Sequence, residues 1–416
     1  MSIVTDLTRM WLTRSVEPFR FRNEYDQALP FAQCQELGLY VHIPFCQRLC
    51  SFCPYCKEVY SPQRCDRYLD ALLREIHLVG GQYPRKKRVT SLYFGGGTPA
   101  LAADRLADIV AALERHFVIT QGVGVELHPD NVTVPTLRTL KAAGVTKLSI
   151  GVQSFQEKYQ RVLGRTAPDR TAMAEALAQV PFETVSMDFI FALPGQTFDD
   201  LRADLDAAFQ SGANHVAIYP FIDFSFASSG IPVMGKRGKR ALLDRITRYC
   251  LDQGYTRTSI WTFSSGEAGY SSMTRDNFLG FGCSATTLLR DQFKINTFDL
   301  DEYCKRIDGG ALPTALTLRF TPRQRMVYYL FWTAYTTRVD AGAFERFFGV
   351  PLNKMYGLEL WLARRLGFVT RRDGVYEMTL KGAFYYHHFE QFYTLSYIDK
   401  MWGLLRREAL PGGMEL

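Results

Sequence analysis

Between Gly38 and about Tyr219 the chain alternates short apolar runs with longer stretches whose apolar residues recur every three or four positions. The runs GLYVHI, VTSLYF, GVELH, TKLSIGV, TVSMDFIF and HVAIYPF read as strands. RCDRYLDALLREIHLV, ADRLADIVAALERHF, VPTLRTLKAAG and FDDLRADLDAAFQSG read as amphipathic helices, the last two ending at glycine. Six strands with helices between them imply parallel pairing through right-handed crossovers. The expected fold class is α/β, a partial parallel (β/α)6 barrel that takes ligands at the C-terminal ends of its strands.

After Ser225 the regularity weakens. A helix is expected from Lys236 to Gln253, then short strands and a loop, SSGEAGYSSMTRDNFLGFGCSA. From about Arg319 to Tyr397 the pattern is three helices, a strand pair (GFVTRRDGVYEMT) and a helix, as in a mostly helical winged-helix-like domain. This divides the chain into an N-terminal extension (1–37), the partial barrel (38–225), a barrel extension and linker (226–315) and a C-terminal lid (316–416). The aromatic runs MVYYLFWTAY and AFYYHHFEQFY have helical spacing and read as core. The formal charge of +7 over 416 residues is mild and spread out, which argues against a dedicated nucleic-acid binder. No cleavable leader and no uncharged run of membrane-spanning length is apparent, so a cytoplasmic location is expected.

The cysteines change the picture. Four of the nine stand in CQRLCSFCPYC, from Cys46 to Cys56, and the other five are scattered singly. A disulfide framework would need a smaller chain with regular pairing. Zinc favours pairs separated by a longer loop. Three thiolates at x3 and x2 spacing suit three corners of a cubane cluster, leaving one iron open, and this reading is preferred over zinc or free thiols. The loop follows the run LYVHI, at the mouth of the expected barrel. His42, within that run, reads as a satisfied core histidine with no chemistry assigned.

With YVHIPFC, CQRLCSFC, YFGGGTPA, GVELHPD, LSIGVQSF, VLGRT, MDFIFALPGQT and FLGFGCSA in this order, the chain resembles the radical S-adenosylmethionine (SAM) enzymes. More narrowly it is similar to the oxygen-independent coproporphyrinogen III oxidases with their methyltransferase and heme-chaperone relatives. The resemblance implies a barrel of the radical SAM type, a 4Fe–4S cluster on Cys46, Cys50 and Cys53, and SAM at the open iron. Cys56 lies three residues after the third ligand, where the coproporphyrinogen-type pattern has a cysteine two residues on. A role outside the cluster is favoured for it, since a fourth thiolate on the last iron would displace SAM.

The resemblance further implies SAM contacts from Tyr40, Phe52, the turn Gly95, Gly96, Gly97 and Thr98, and Glu126. It places Gln153, Arg165 and Asp188 around a second SAM, with Ile222 and Thr286 lining the cofactor. Reductive cleavage of SAM would give a 5′-deoxyadenosyl radical that acts on a tetrapyrrole or other flat hydrophobic substrate. Methyl transfer from the second SAM is the reading preferred from the sequence. Oxidative decarboxylation of a coproporphyrinogen, or a heme chaperone without turnover, are the alternatives. A flavodoxin or ferredoxin is expected as electron donor.

Overall fold

The computed structural model describes residues 3–24, 28–227, 229–266 and 276–416. Part of the loop expected over SSGEAGYSSMTRDNFLGFGCSA, residues 267–275, lies outside the described residues.

Seven strands form the parallel heart of the molecule: β1 (Gly38–Ile43), β2 (Leu92–Gly96), β3 (Val123–Leu127), β4 (Lys147–Gln153), β5 (Thr184–Phe191), β6 (His215–Pro220) and β7 (Phe278–Phe281). Their order across the sheet is β6-β5-β4-β3-β2-β1-β7, every neighbouring pair parallel. The first six are the strands expected from the apolar runs. The seventh, FLGF, comes from the distant end of the chain and lies beside β1. Beyond it the sheet continues antiparallel through β8 (Thr286–Leu289), β9 (Gln292–Asn296) and β10 (Thr314–Arg319). Strands Arg20–Arg22 and Gly413–Glu415 complete that edge, which brings the two ends of the chain together. The boundary drawn at 316 therefore falls inside a strand, and the helical C-terminal region opens at Pro322.

The crossover helices are α1 (Pro62–Gly80), α2 (Ala103–Glu114), α3 (Val134–Ala142), α4 (Arg170–Gln179) and α5 (Phe198–Gln210). Local chemistry starts them. α1 carries Pro at its first position after Ser61, and α5 has a capping box in which Thr197 accepts from Asp200 N while Asp200 accepts from Thr197 N. α1 turns Tyr68, Leu69, Leu72 and Ile76 into one core with Leu39, Val41, Phe94, Leu148, Met187 and Ile218 from the strands. Because both faces of the parallel strands are covered, they are buried almost throughout: in TVSMDFIF only Asp188 stays half-buried.

Past Pro322 lie helices Pro322–Tyr335, Ala341–Phe348, Leu352–Arg365, Leu380–Tyr393 and Asp399–Arg407, with a three-stranded sheet from Arg338–Asp340, Val369–Arg372 and Val375–Met378. Tyr329, Phe344, Leu352 and Tyr356 give this region a small core of its own. Among the described residues no helix is long and apolar enough to cross a membrane.

Candidate functional site

The C-terminal ends of β1 to β5 converge on the cysteine loop. β1 delivers Tyr40 and His42, and the chain then turns through Pro44 and Phe45 into Cys46, Cys50 and Cys53. All nine cysteines are free thiols, and these three are part-exposed whereas Cys56 is buried. Lys57 ties the loop together by donating from Nζ to the carbonyls of Cys50 and Cys53 (2.8 Å to the latter). Thr98 Oγ1 stands 3.8 Å from Cys46 Sγ. Burial pushes the Cys46 thiol up to about 11 and raises that of Cys50 as well. Such thiols hold their protons at neutral pH until a cation takes the sulfur.

β2 ends in the turn Gly95-Gly96-Gly97-Thr98 beside this loop. Gly96 has φ +122°, and a Cβ there would stand 2.7 Å from the His42 ring, so only glycine lets the turn lie this close. Gly96 N donates to Glu126 Oε2 (3.0 Å), and Tyr93 Oη donates to Glu126 Oε1 (2.9 Å). Burial nevertheless pushes the Glu126 carboxyl up to about 7. On β5, Asp188 accepts from Ser149 of β4 and from Ser186 at 2.7 and 3.2 Å, and burial pushes it up to about 6. Asp188 sits at a register shift where Gly151 and Val152 of β4 oppose this single residue, an irregularity of the kind that re-aims side chains next to sites. Two shielded carboxyls raised in this way favour a cationic or hydroxyl-bearing ligand between them.

Arg165 supplies the opposite charge. Its Nη2 donates to His128 Nε2 (2.6 Å), while His128 Nδ1 faces Asp130 Oδ2 (3.2 Å). Burial, then Arg165, drops His128 to about 4, so it is the neutral tautomer that accepts from Arg165. The guanidinium lies near enough to Cys50 to favour its anion, and its Nε is buried without a hydrogen-bond partner. Gln153 closes β4 at φ +68°, and Ala192 and Ser284 take left-handed backbone just past β5 and β7. Non-glycine residues rarely adopt this conformation, and three of them stand along one rim.

Phe52, between two of the thiols, packs against Tyr159, Ile190 and Phe221. Ile222 follows β6 and Thr286 opens β8 opposite Ile295; the fold places both by their strand ends alone. The structure thus groups Cys46, Cys50, Cys53, Tyr40, Gly96, Gly97, Thr98, Glu126, Arg165 and Asp188 at one mouth. Sequence reasoning missed His128 and Lys57. His42 is the satisfied core histidine expected, its ring meeting Tyr40 Oη through Nδ1 and the Cys56 carbonyl through Nε2, each at 3.0 Å. His128 stood inside the quoted GVELHPD, and its spacing from Arg165 carried no signal.

The signature of the Radical SAM superfamily matches residues 40–208, the span that builds this mouth. The chain belongs to the radical SAM superfamily, in the group of the oxygen-independent coproporphyrinogen III oxidases and heme chaperones. The oxygen-independent coproporphyrinogen III oxidase of Pseudomonas aeruginosa is 26% identical over 309 residues, 66% of either chain. The heme chaperone HemW of Mycobacterium tuberculosis is 35% identical over 199 residues, 45% of this chain and half of that protein. The chain thus spans between half and two thirds of these two relatives. The radical SAM fold is also that of coproporphyrinogen III oxidase (HemN) from Escherichia coli, with a TM-score of 0.76 over 92% of this chain and 98% of that one at 22% identity.

Membership in the superfamily implies a 4Fe–4S cluster and SAM, and the donor set fits both. Cys46, Cys50 and Cys53 offer three unpaired thiols on one loop. The raised carboxyls of Glu126 and Asp188 and the free Nε of Arg165 offer partners for an amino acid's ammonium and carboxylate groups.

Proposed function

We propose that the protein is a radical SAM enzyme whose substrate is a tetrapyrrole, with hydrogen abstraction as the committed step. The observation that carries this is the joint placement of three free thiols, two half-buried carboxyls with raised pKa and a half-buried arginine at one strand mouth. Cys46, Cys50 and Cys53 would hold the cluster. Tyr40, the Gly95–Thr98 turn and Glu126 would hold the first SAM. When bound, the cluster and SAM would supply one-electron reductive chemistry and the species that abstracts hydrogen, at the mouth these residues enclose. The protein's part is to orient and to exclude water: Phe52 and its apolar neighbours close one side, and the helix Asp399–Arg407 lies over the cysteine loop through Trp402 against Tyr55 (5.9 Å) and Arg406 on the Pro54 carbonyl.

Oxidative decarboxylation of a propionate side chain is the finer reading we adopt, because relatives that span about two thirds of this chain are coproporphyrinogen oxidases. The methyl transfer preferred from the sequence draws no such support. A second SAM at Gln153, Arg165 and Asp188 remains part of the proposal on the strength of the unpartnered Arg165 Nε. The 35% identity to heme chaperones favours heme binding without turnover as a second reading. Anaerobic incubation of reconstituted protein with SAM, a flavodoxin or ferredoxin reducing system and candidate porphyrinogens separates them. Substrate-dependent 5′-deoxyadenosine with carbon dioxide supports decarboxylation, and S-adenosylhomocysteine in its place supports methyl transfer. Tight heme binding without substrate-dependent nucleoside release supports the chaperone and refutes the enzyme.

A further inference from the structure

The fourth cysteine of the loop leads elsewhere. The Cys56 thiol is directed toward the Phe298 carbonyl (3.4 Å). It meets Cys283, just past β7, and His42 of β1. One ligand atom from each of the three lies within 4.8 Å of the others, and all three residues are buried. Among the described residues this is the set of histidine, cysteine and acidic side chains that converges so tightly. Cys46, Cys50 and Cys53 are not so grouped, as suits thiols that would hold the separate corners of a cluster.

The convergence is built by the backbone. β7 pairs in parallel with β1, Gly280 opposite Tyr40 and Phe281 opposite Val41. Gly282 then turns at φ +100°, where a Cβ would stand 2.3 Å from Tyr68 Oη and 2.7 Å from the His42 carbonyl oxygen. Tyr68 Oη donates to that carbonyl (2.6 Å) and accepts from Cys283 N (3.1 Å). Glu75 Oε2 accepts from Gly282 N (2.7 Å). Three separate segments are therefore held in register before any ligand arrives.

Two thiols and an imidazole are the donor set of a thiophilic, tetrahedral ion, whose ligands stand about 4 Å apart when metal–sulfur bonds are about 2.3 Å. An imidazole that ligates through one nitrogen needs its other nitrogen fixed by a hydrogen bond. Tyr40 Oη is such a partner on Nδ1, so ligation through Nε2 exchanges that nitrogen's bond to the Cys56 carbonyl for the ion. The Phe298 carbonyl beside Cys56 offers a fourth donor.

We propose that His42, Cys56 and Cys283 form a closed structural site for a zinc-like divalent ion, distinct from the three-cysteine loop, which pins the far end of that loop to β1 and β7. The test is metal analysis of anaerobically purified protein, reconstituted with iron and sulfide, incubated with equimolar zinc and desalted. The expected result is about one zinc per chain in addition to iron. C56S, C283S and C283A should lose the zinc and keep the iron. The C46A/C50A/C53A variant should lose the iron and keep the zinc, which excludes capture by the cluster thiols. With cobalt(II) as probe, that triple variant should show thiolate-to-metal charge-transfer absorption, absent when C283A is added. Zinc retained by both C56S and C283A, no zinc in the parent protein, a Cys56–Cys283 disulfide by thiol counting, or loss of iron together with zinc in C56S would each overturn the proposal. Circular dichroism of each variant separates loss of the site from loss of the fold.

Discussion

Glu75 receives Gly282 N (2.7 Å), Tyr303 Oη (2.7 Å) and Asn296 Nδ2 (3.3 Å), so one carboxyl on α1 anchors the turn after β7 and the strand β9. Replacing it with glutamine turns an amide NH2 toward one of these donors. A buried donor left unmet costs about 1–3 kcal/mol. E75Q should lower the free energy of unfolding by about that amount in urea titration, with an unchanged m-value. Arg165 has the opposite character, since its Nε is buried and without a partner, an unmet requirement that a bound carboxylate removes. R165A should therefore fold normally yet bind SAM about tenfold more weakly in equilibrium dialysis, as loss of one charged hydrogen bond would give. An unchanged affinity would remove Arg165 from the cofactor site.

At the scale of elements, the helix Asp399–Arg407 touches the cysteine loop from outside the barrel. Trp402 packs on Tyr55, Phe224 and Phe298 with centroids 5.9 to 6.3 Å apart, and Arg406 reaches the Pro54 carbonyl. W402A removes this cover, and the reconstituted cluster should bleach several-fold faster in air, followed by its visible absorption, with little change in anaerobic iron content. The parallel strands were legible because burial on both faces writes them as apolar runs, and α1, α2, α3 and α5 because each has one apolar face. α4 left a faint trace, since Ala172, Ala174, Ala176 and Ala178 spread apolar positions around the helix and blur the face that Met173 and Leu177 bury. β7 was hidden for another reason. Four residues between a loop and Gly282 carry no alternation, and their pairing with β1, some 240 residues earlier, is a property of the closed sheet. The cysteine loop, the glycine turn and the acidic strand ends could be read from local spacing. The Arg165–His128 bond and the His42–Cys56–Cys283 group could not, because each joins segments that only the fold brings together.

Across the whole molecule, the burial that makes the site also sets how stability answers pH. Burial pushes Glu75, Glu126 and Glu390 up to about 7, and Cys65 and Cys250 up to about 12. A group whose folded pKa exceeds its unfolded value favours folding below the unfolded value and loses that contribution as pH rises toward the folded one. For the glutamates the loss runs from about pH 4.5 to 7 and tails off above, and for the thiols it begins near 9. His128 and His215, lowered to about 4, and His387, lowered to about 3, act the other way, but their gain is nearly complete by pH 7 because the unfolded imidazole titrates near 6.5. Between pH 7 and 9 the glutamates and thiols therefore decide the sign. Stability should fall by roughly 2 kcal/mol over that interval, which for a chain of this size lowers the melting temperature by about 2 °C. Calorimetry or circular dichroism melts at constant ionic strength read this directly. The C65A/C250A variant melts lower at every pH because it opens cavities, but its slope between pH 8 and 9 should be shallower than that of the parent. A slope of unchanged steepness would mean that these thiols are not the groups that titrate.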